Sequence, residues 1–127
     1  DANFFIFANF SKEKQAIKAR EILREIHNGK KAITSVLALD EVMWILIKMK
    51  LKGEVRSIIE EIYSVKNLEV KEVSSLTPLR ALEFMEAHNL KPRDAFHLAI
   101  MEEFNMKEIV TDDADFDEIS WAKRIKL

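Results

Sequence analysis

Apolar residues along this chain follow two different spacings. Residues 12–26 place Ala16, Ile17, Ala19, Ile22, Leu23 and Ile26 at helical intervals, behind Ser11 as an N-cap and ahead of Asn28-Gly29 as a stop. Residues 36–50 follow Ser35, another N-cap, and are apolar almost all round, which predicts a helix in the interior. Residues 54–65 set Val55, Ile58, Ile59 and Ile62 on one helical face. Thr77 as N-cap and Pro78 at the first helical position open a helix to His88, and Pro92 opens the next, through Phe104. Short segments that suit strands lie between them, at 31–34, 68–73, 108–111 and 122–125. Ahead of everything, Phe4, Phe5, Ile6, Phe7 and Phe10 form an apolar cluster with no clear period. Short strands alternating with longer helices predict an α/β domain with a mostly parallel sheet. No repeat or linker interrupts the pattern, so residues 1–127 read as one domain. The apolar start at Asp1, with no initiator methionine, suggests that a first strand precedes this residue.

Composition narrows the classes. Hydrophobic residues make up 48% of the 127, enough for a packed core. Twenty basic residues against 22 acidic ones leave a net charge of −2, so any surface for an anion must be local. Cysteine is absent, which removes disulfides, thiolate metal sites and cysteine nucleophiles and suits a cytoplasmic protein. His27, His88 and His97 are scattered, without paired metal-ligand spacing. The longest apolar run, 42–47, is far shorter than the ~18 residues of a membrane span, and no membrane partner is expected.

The acids carry the candidate chemistry. Asp40 and Glu41 interrupt a greasy helix, where Glu41 has Leu37, Ala38, Trp44 and Ile45 three and four residues away. A buried, unpaired carboxylate there would cost several kcal/mol; a narrow solvated strip is the plainer alternative. Asp94 lies in the first turn of the helix opened by Pro92, where an acid also complements the helix dipole. Residues 109–118 end a strand in a burst of acids. A solvated loop is the ordinary reading. A calcium loop matches at Asp113, Asp115 and Asp117 but fails at Glu118, where glycine is needed, and at Arg124, where glutamate is needed. In open α/β sheets, sites gather beyond the carboxyl ends of strands. Thr111 ends one strand, Ser35 another, and Asp1 would follow a first. Asp1, Glu41, Asp94 and Asp113 can therefore converge. Carboxylates in contact repel, and a hard divalent cation such as Mg²⁺ or Mn²⁺ removes that penalty.

These residues resemble a PIN domain, and most of all the single-domain VapC-type ribonucleases of toxin–antitoxin pairs. The resemblance runs over essentially the whole chain. "DANFFIFA" from Asp1 is similar to the opening D-x-N/S motif. "ITSVLALDEV" is similar to S-x(5)-E and singles out Glu41 over Asp40. "KPRDAFHLAI" is similar to D-A-x-H-L-A and gives Asp94. "IVTDDADF" is similar to T-x-D-x-D-F and gives Asp113, with Asp115 as an accessory. The resemblance implies a three-layer α/β/α sandwich, a mostly parallel central sheet flanked by helices, and Mg²⁺- or Mn²⁺-dependent hydrolysis of RNA to 5′-phosphate and 3′-hydroxyl ends. Asp1, Asp94 and Asp113 would be the main metal ligands, and Asp115 would complete a second metal site. Glu41 would hold a metal-bound water or act as its base, while Asn3 and Thr111 would orient the carboxylates by hydrogen bonds.

Candidate RNA-phosphate contacts are Lys12, Lys14, Lys91 and Arg93, each of which alone reads as a surface charge. Arg93, beside Asp94, is the strongest of them. His97 reads as a packed histidine. The resemblance further implies an RNA substrate, a small antitoxin partner and a homodimer. Two alternatives stay open: a PIN nuclease of RNA processing without an antitoxin, and a PIN-fold module that binds RNA or protein without cutting.

Overall fold

The computed structural model describes residues 1–127 and divides them into two compact units, Asp1–Glu72 with Leu127, and Val73–Lys126. The first unit opens with helix α1 (Ala2–Phe10), whose first turn is capped by the Asp1 carboxylate accepting from Phe4 N–H at 3.2 Å. Ala2, Phe4, Phe5, Ile6 and Ala8 are all buried, so the aperiodic aromatic cluster is a buried helix. Ser11 ends α1 rather than capping the next helix, and α2 (Lys14–His27) follows Glu13 as its N-cap.

Strand β1 (Ala32–Ser35) pairs in parallel with β2 (Leu68–Lys71), Ala32 opposite Leu68. Between them run α3 (Val36–Lys48) and α4 (Val55–Ser64). Asn67 joins these elements. Its backbone has φ +66°, a left-handed conformation that asparagine tolerates. Its side-chain amide donates to the carbonyl of Ile26 at 2.8 Å, closing the end of α2, and its own carbonyl receives Ala32 N–H at 3.0 Å. Ser35 caps α3 as expected, with Oγ accepting from Ala38 N–H at 3.3 Å. The expectation of a wholly interior α3 is corrected. Ala38, Leu39, Val42 and Leu46 are buried, but Val36, Met43, Trp44 and Ile47 lie exposed along the other face. Burying one face already satisfies α3's packing, so the second apolar face is left to solvent.

The second unit contains α5 (Thr77–His88), α6 (Pro92–Glu103), β3 (Glu108–Val110) and β4 (Lys123–Ile125). Its core joins Phe84, Leu90, Leu98, Met101, Ile109 and Phe116. Thr77 is the first residue of α5 and not its cap, because the Ser74 hydroxyl and carbonyl already receive the N–H groups of Leu76 and Thr77. Arg80 ties α5 to α6: its guanidinium forks onto Glu102 at 2.6 and 2.7 Å, bonds Glu83, and lies 4.5 Å over the Phe84 ring. Asn89, at φ +52°, ends α5 and turns the chain toward α6. Strands β3 and β4 are parallel, with Glu108 opposite Lys123 and Val110 opposite Ile125. The segment that crosses between them is the acid-rich one.

Candidate metal centre

Asp94 stands at the third position of α6, after Lys91 as N-cap and Pro92 at the first position. Proline loses nothing there, since that N–H has no helical partner, and it fixes the backbone so that Asp94 is held in the first turn. Asp113 and Asp115 come from the segment after β3. Thr111 is fully buried, and its Oγ1 accepts from Asp113 N–H at 3.1 Å. The Asp113 carboxylate in turn accepts from Asp115 N–H at 2.9 Å and caps a 3₁₀ turn over Ala114–Glu118. Phe116, 1% exposed, anchors that turn in the core. Each short-range bond is the ordinary preference of Thr or Asp for a backbone N–H two residues on. Together they aim two carboxylates the same way.

Carboxylate oxygens of Asp94, Asp113 and Asp115 lie within 4.8 Å of one another. Oxygens on an octahedral Mg²⁺ sit about 3 Å apart in cis and about 4.2 Å apart in trans, given metal–oxygen distances of about 2.1 Å. The three oxygens are close enough together for one such ion to gather them, and all-carboxylate donors suit a hard cation. The electrostatics agree. Burial pushes the Asp94 carboxyl above the ordinary aspartate range, Asp113 and Asp115 add to the push, and His97 and Lys91 oppose it. Lys91 Nζ lies 3.5 Å from an Asp115 oxygen on a largely exposed side chain.

Asp112, by contrast, is outside this trio and offers its main-chain carbonyl to Arg124 at 3.2 Å. Arg124 also forks onto Asp117 at 2.7 and 2.5 Å, which holds that carboxyl below its usual range. Nothing in the sequence pointed to Arg124, whose role arises from strand pairing.

In the first unit, Glu41 is half-buried on α3 and its Oε1 is fully buried. Asp1, just ahead of α1, is also half-buried. Asn3, Lys12 and Lys14 are exposed. Arg93 and Lys91 are exposed in the second unit, while His97 is half-buried one turn beyond Asp94.

The sequence model described as PIN domain matches residues 1–122. No curated protein matches the chain. Among solved structures, a toxin–antitoxin complex from Klebsiella pneumoniae is similar at TM-score 0.70 and 21% identity, over 96% of this chain and 92% of that one. The crystal structure of VapBC2 from Rickettsia felis, bound to a DNA fragment from their promoter, is similar at TM-score 0.76 and 18% identity, over 99% and 95%. VapC20 of Mycobacterium tuberculosis, a sarcin–ricin loop cleaving toxin, is similar at TM-score 0.79 and 16% identity, over 96% and 94%. At such identities the likeness is one of fold, with helices alternating with parallel strand pairs.

Proposed function

The chain belongs to the PIN-domain family, and on that premise we propose that it is a metal-dependent endoribonuclease of the VapC toxin type. The observation that carries this reading is the meeting of Asp94, Asp113 and Asp115 within 4.8 Å, on two elements distant in sequence. These residues would hold Mg²⁺ or Mn²⁺. The ion would supply charge stabilisation at a scissile phosphate and lower the pKa of a bound water.

The protein's own groups do the rest. The Thr111 hydroxyl and the Asp113–Asp115 turn set the local direction of these ligands without any cation. Asp1 and Glu41 match the family's first two acids, and we assign them to the same chemistry, with Asn3 in support. Arg93 and Lys91, next to Asp94 in sequence, are the proposed phosphate contacts, with Lys12 and Lys14 as further ones. RNA is the proposed substrate, a small antitoxin the proposed inhibitor, and the cytoplasm the proposed location. No helix is long and apolar enough to cross a membrane. A homodimer is favoured by the exposed stripe of Val36, Met43, Trp44 and Ile47 on α3.

The test uses purified protein and 5′-labelled single-stranded RNA with Mg²⁺, with Mn²⁺, and with EDTA. Cleavage to labelled fragments with 3′-hydroxyl ends that stops with EDTA and in Asp94→Asn supports the reading. Cleavage that survives EDTA, with Asp94→Asn as active as the parent, rejects it.

A further inference from the structure

Arg124 projects from β4 with a side chain only 15% exposed, and it uses its guanidinium at two places at once. Nε and Nη2 take both oxygens of Asp117, at 2.7 and 2.5 Å, while Nη1 donates to the Asp112 carbonyl at 3.2 Å. These anchors bracket the ligand-bearing segment. One is the residue just before Asp113, and the other lies two residues after Asp115. Between them the Thr111 and Asp113 side-chain bonds set local turns and Phe116 packs into the core, while the two ends of the segment are held by the Arg124 guanidinium.

We infer that Arg124 is a positioning residue for the metal centre, clamping the 112–117 segment so that Asp113 and Asp115 stay turned toward Asp94. This rests on the proposed metal-centre reading. A planar fork with a further donor suits the task, because it fixes direction as well as distance. Lysine offers a point charge without that geometry.

Two physical effects of Arg124 have opposite signs, which makes the inference testable. Its positive charge, within electrostatic reach of Asp112 and Asp113, opposes a cation nearby. By charge alone, Arg124→Gln would bind a divalent cation more tightly and Arg124→Lys would bind it equally well. By positioning, both variants bind more weakly. Residues that orient metal ligands typically contribute about 10–100-fold in affinity.

The experiment titrates Mn²⁺ alone into the full chain and reads free Mn²⁺ by electron paramagnetic resonance. The parent, Arg124→Gln, Arg124→Lys and, as a marker of the site, Asp94→Asn are compared. Circular dichroism without metal checks that each is folded at the working temperature. The expected result is a dissociation constant raised at least about tenfold in both Arg124 variants. Tighter or unchanged binding in Arg124→Gln, or parental binding in Arg124→Lys, overturns the inference while leaving the metal centre standing. If Arg124→Gln does not fold, Arg124→Lys decides alone. A parent that binds no Mn²⁺, or whose Mn²⁺ binding is untouched in Asp94→Asn, overturns the metal-centre reading and the inference with it.

Discussion

Asp94 is where opposing forces on one carboxylate meet. The first turn of a helix favours its charged form, yet burial and the neighbouring Asp113 and Asp115 carboxylates win and raise its pKa. A carboxyl whose pKa is raised by folding is held protonated more readily in the fold than in the open chain. Its cost to the metal-free protein is absent below the ordinary aspartate range and grows as pH rises through the raised value. Asp94→Asn should therefore raise the metal-free melting temperature at pH 7 and leave it unchanged near pH 3, as thermal scans at both pH values would show. The parent should gain ~2.7 kcal/mol from Mg²⁺ or Mn²⁺ at 100 times the dissociation constant, and Asp94→Asn should lose most of that gain. The acids of the crossing segment should rank by position. Asp113→Asn should lower the cleavage rate by more than the ~10–100-fold that outer partners contribute, Asp115→Asn should fall between, and Asp112→Asn should stay near parental. Asp112 meets Arg124 through its main chain, which the substitution leaves in place. Rates on one RNA at saturating Mg²⁺ measure the order. These acids were legible because each stands in a short motif of fixed spacing. Arg124 was not, because its partners come from the parallel pairing of β4 with β3 rather than from neighbours in the chain.

At the scale of elements, two hydroxyls at helix starts should behave in opposite ways. Ser35 Oγ accepts from Ala38 N–H, so Ser35→Ala should cost about 1 kcal/mol. Thr77 is equally buried, but its Oγ1 has no hydrogen-bond partner. Thr77→Val keeps the shape and removes a desolvated hydroxyl, so it should stabilise by about 1–3 kcal/mol. Urea titrations of both variants would show shifts of opposite sign; a destabilised Thr77→Val would mean that the hydroxyl is solvated. The same pair shows what the sequence could and could not disclose. Ser35, Asn28-Gly29, Pro78 and Pro92 fixed helix edges to within a few residues because each acts through its own backbone. Thr77 looked like a cap, but the 74–77 turn had already supplied the needed acceptors. Residues 2–10 gave no period because a helix buried on most sides needs none, and α3 looked interior because its exposed face is also apolar.

For the whole molecule, charge nearly cancels at −2, so on the proposed reading RNA affinity comes from a few placed cations, and its dependence on salt should be correspondingly shallow. The α3 stripe bears on assembly. Trp44 is 51% exposed, so Trp44→Glu should barely alter the protomer's stability while converting the proposed dimer to a monomer. Light scattering after size exclusion would read the mass of each, and equal masses would exclude this face as the contact. The parallel pair β3–β4 has a consequence in time. Parallel strands cannot be joined by a tight turn, so the acid segment is the passage between them and precedes its own clamp in the chain. A polypeptide emerging from the ribosome shows Asp94, Asp113 and Asp115 before it shows Arg124. On the proposed reading, an unfinished copy thus carries the ligands without the strand inferred to order them, and synthesis itself delays cutting until residue 125 is free to pair.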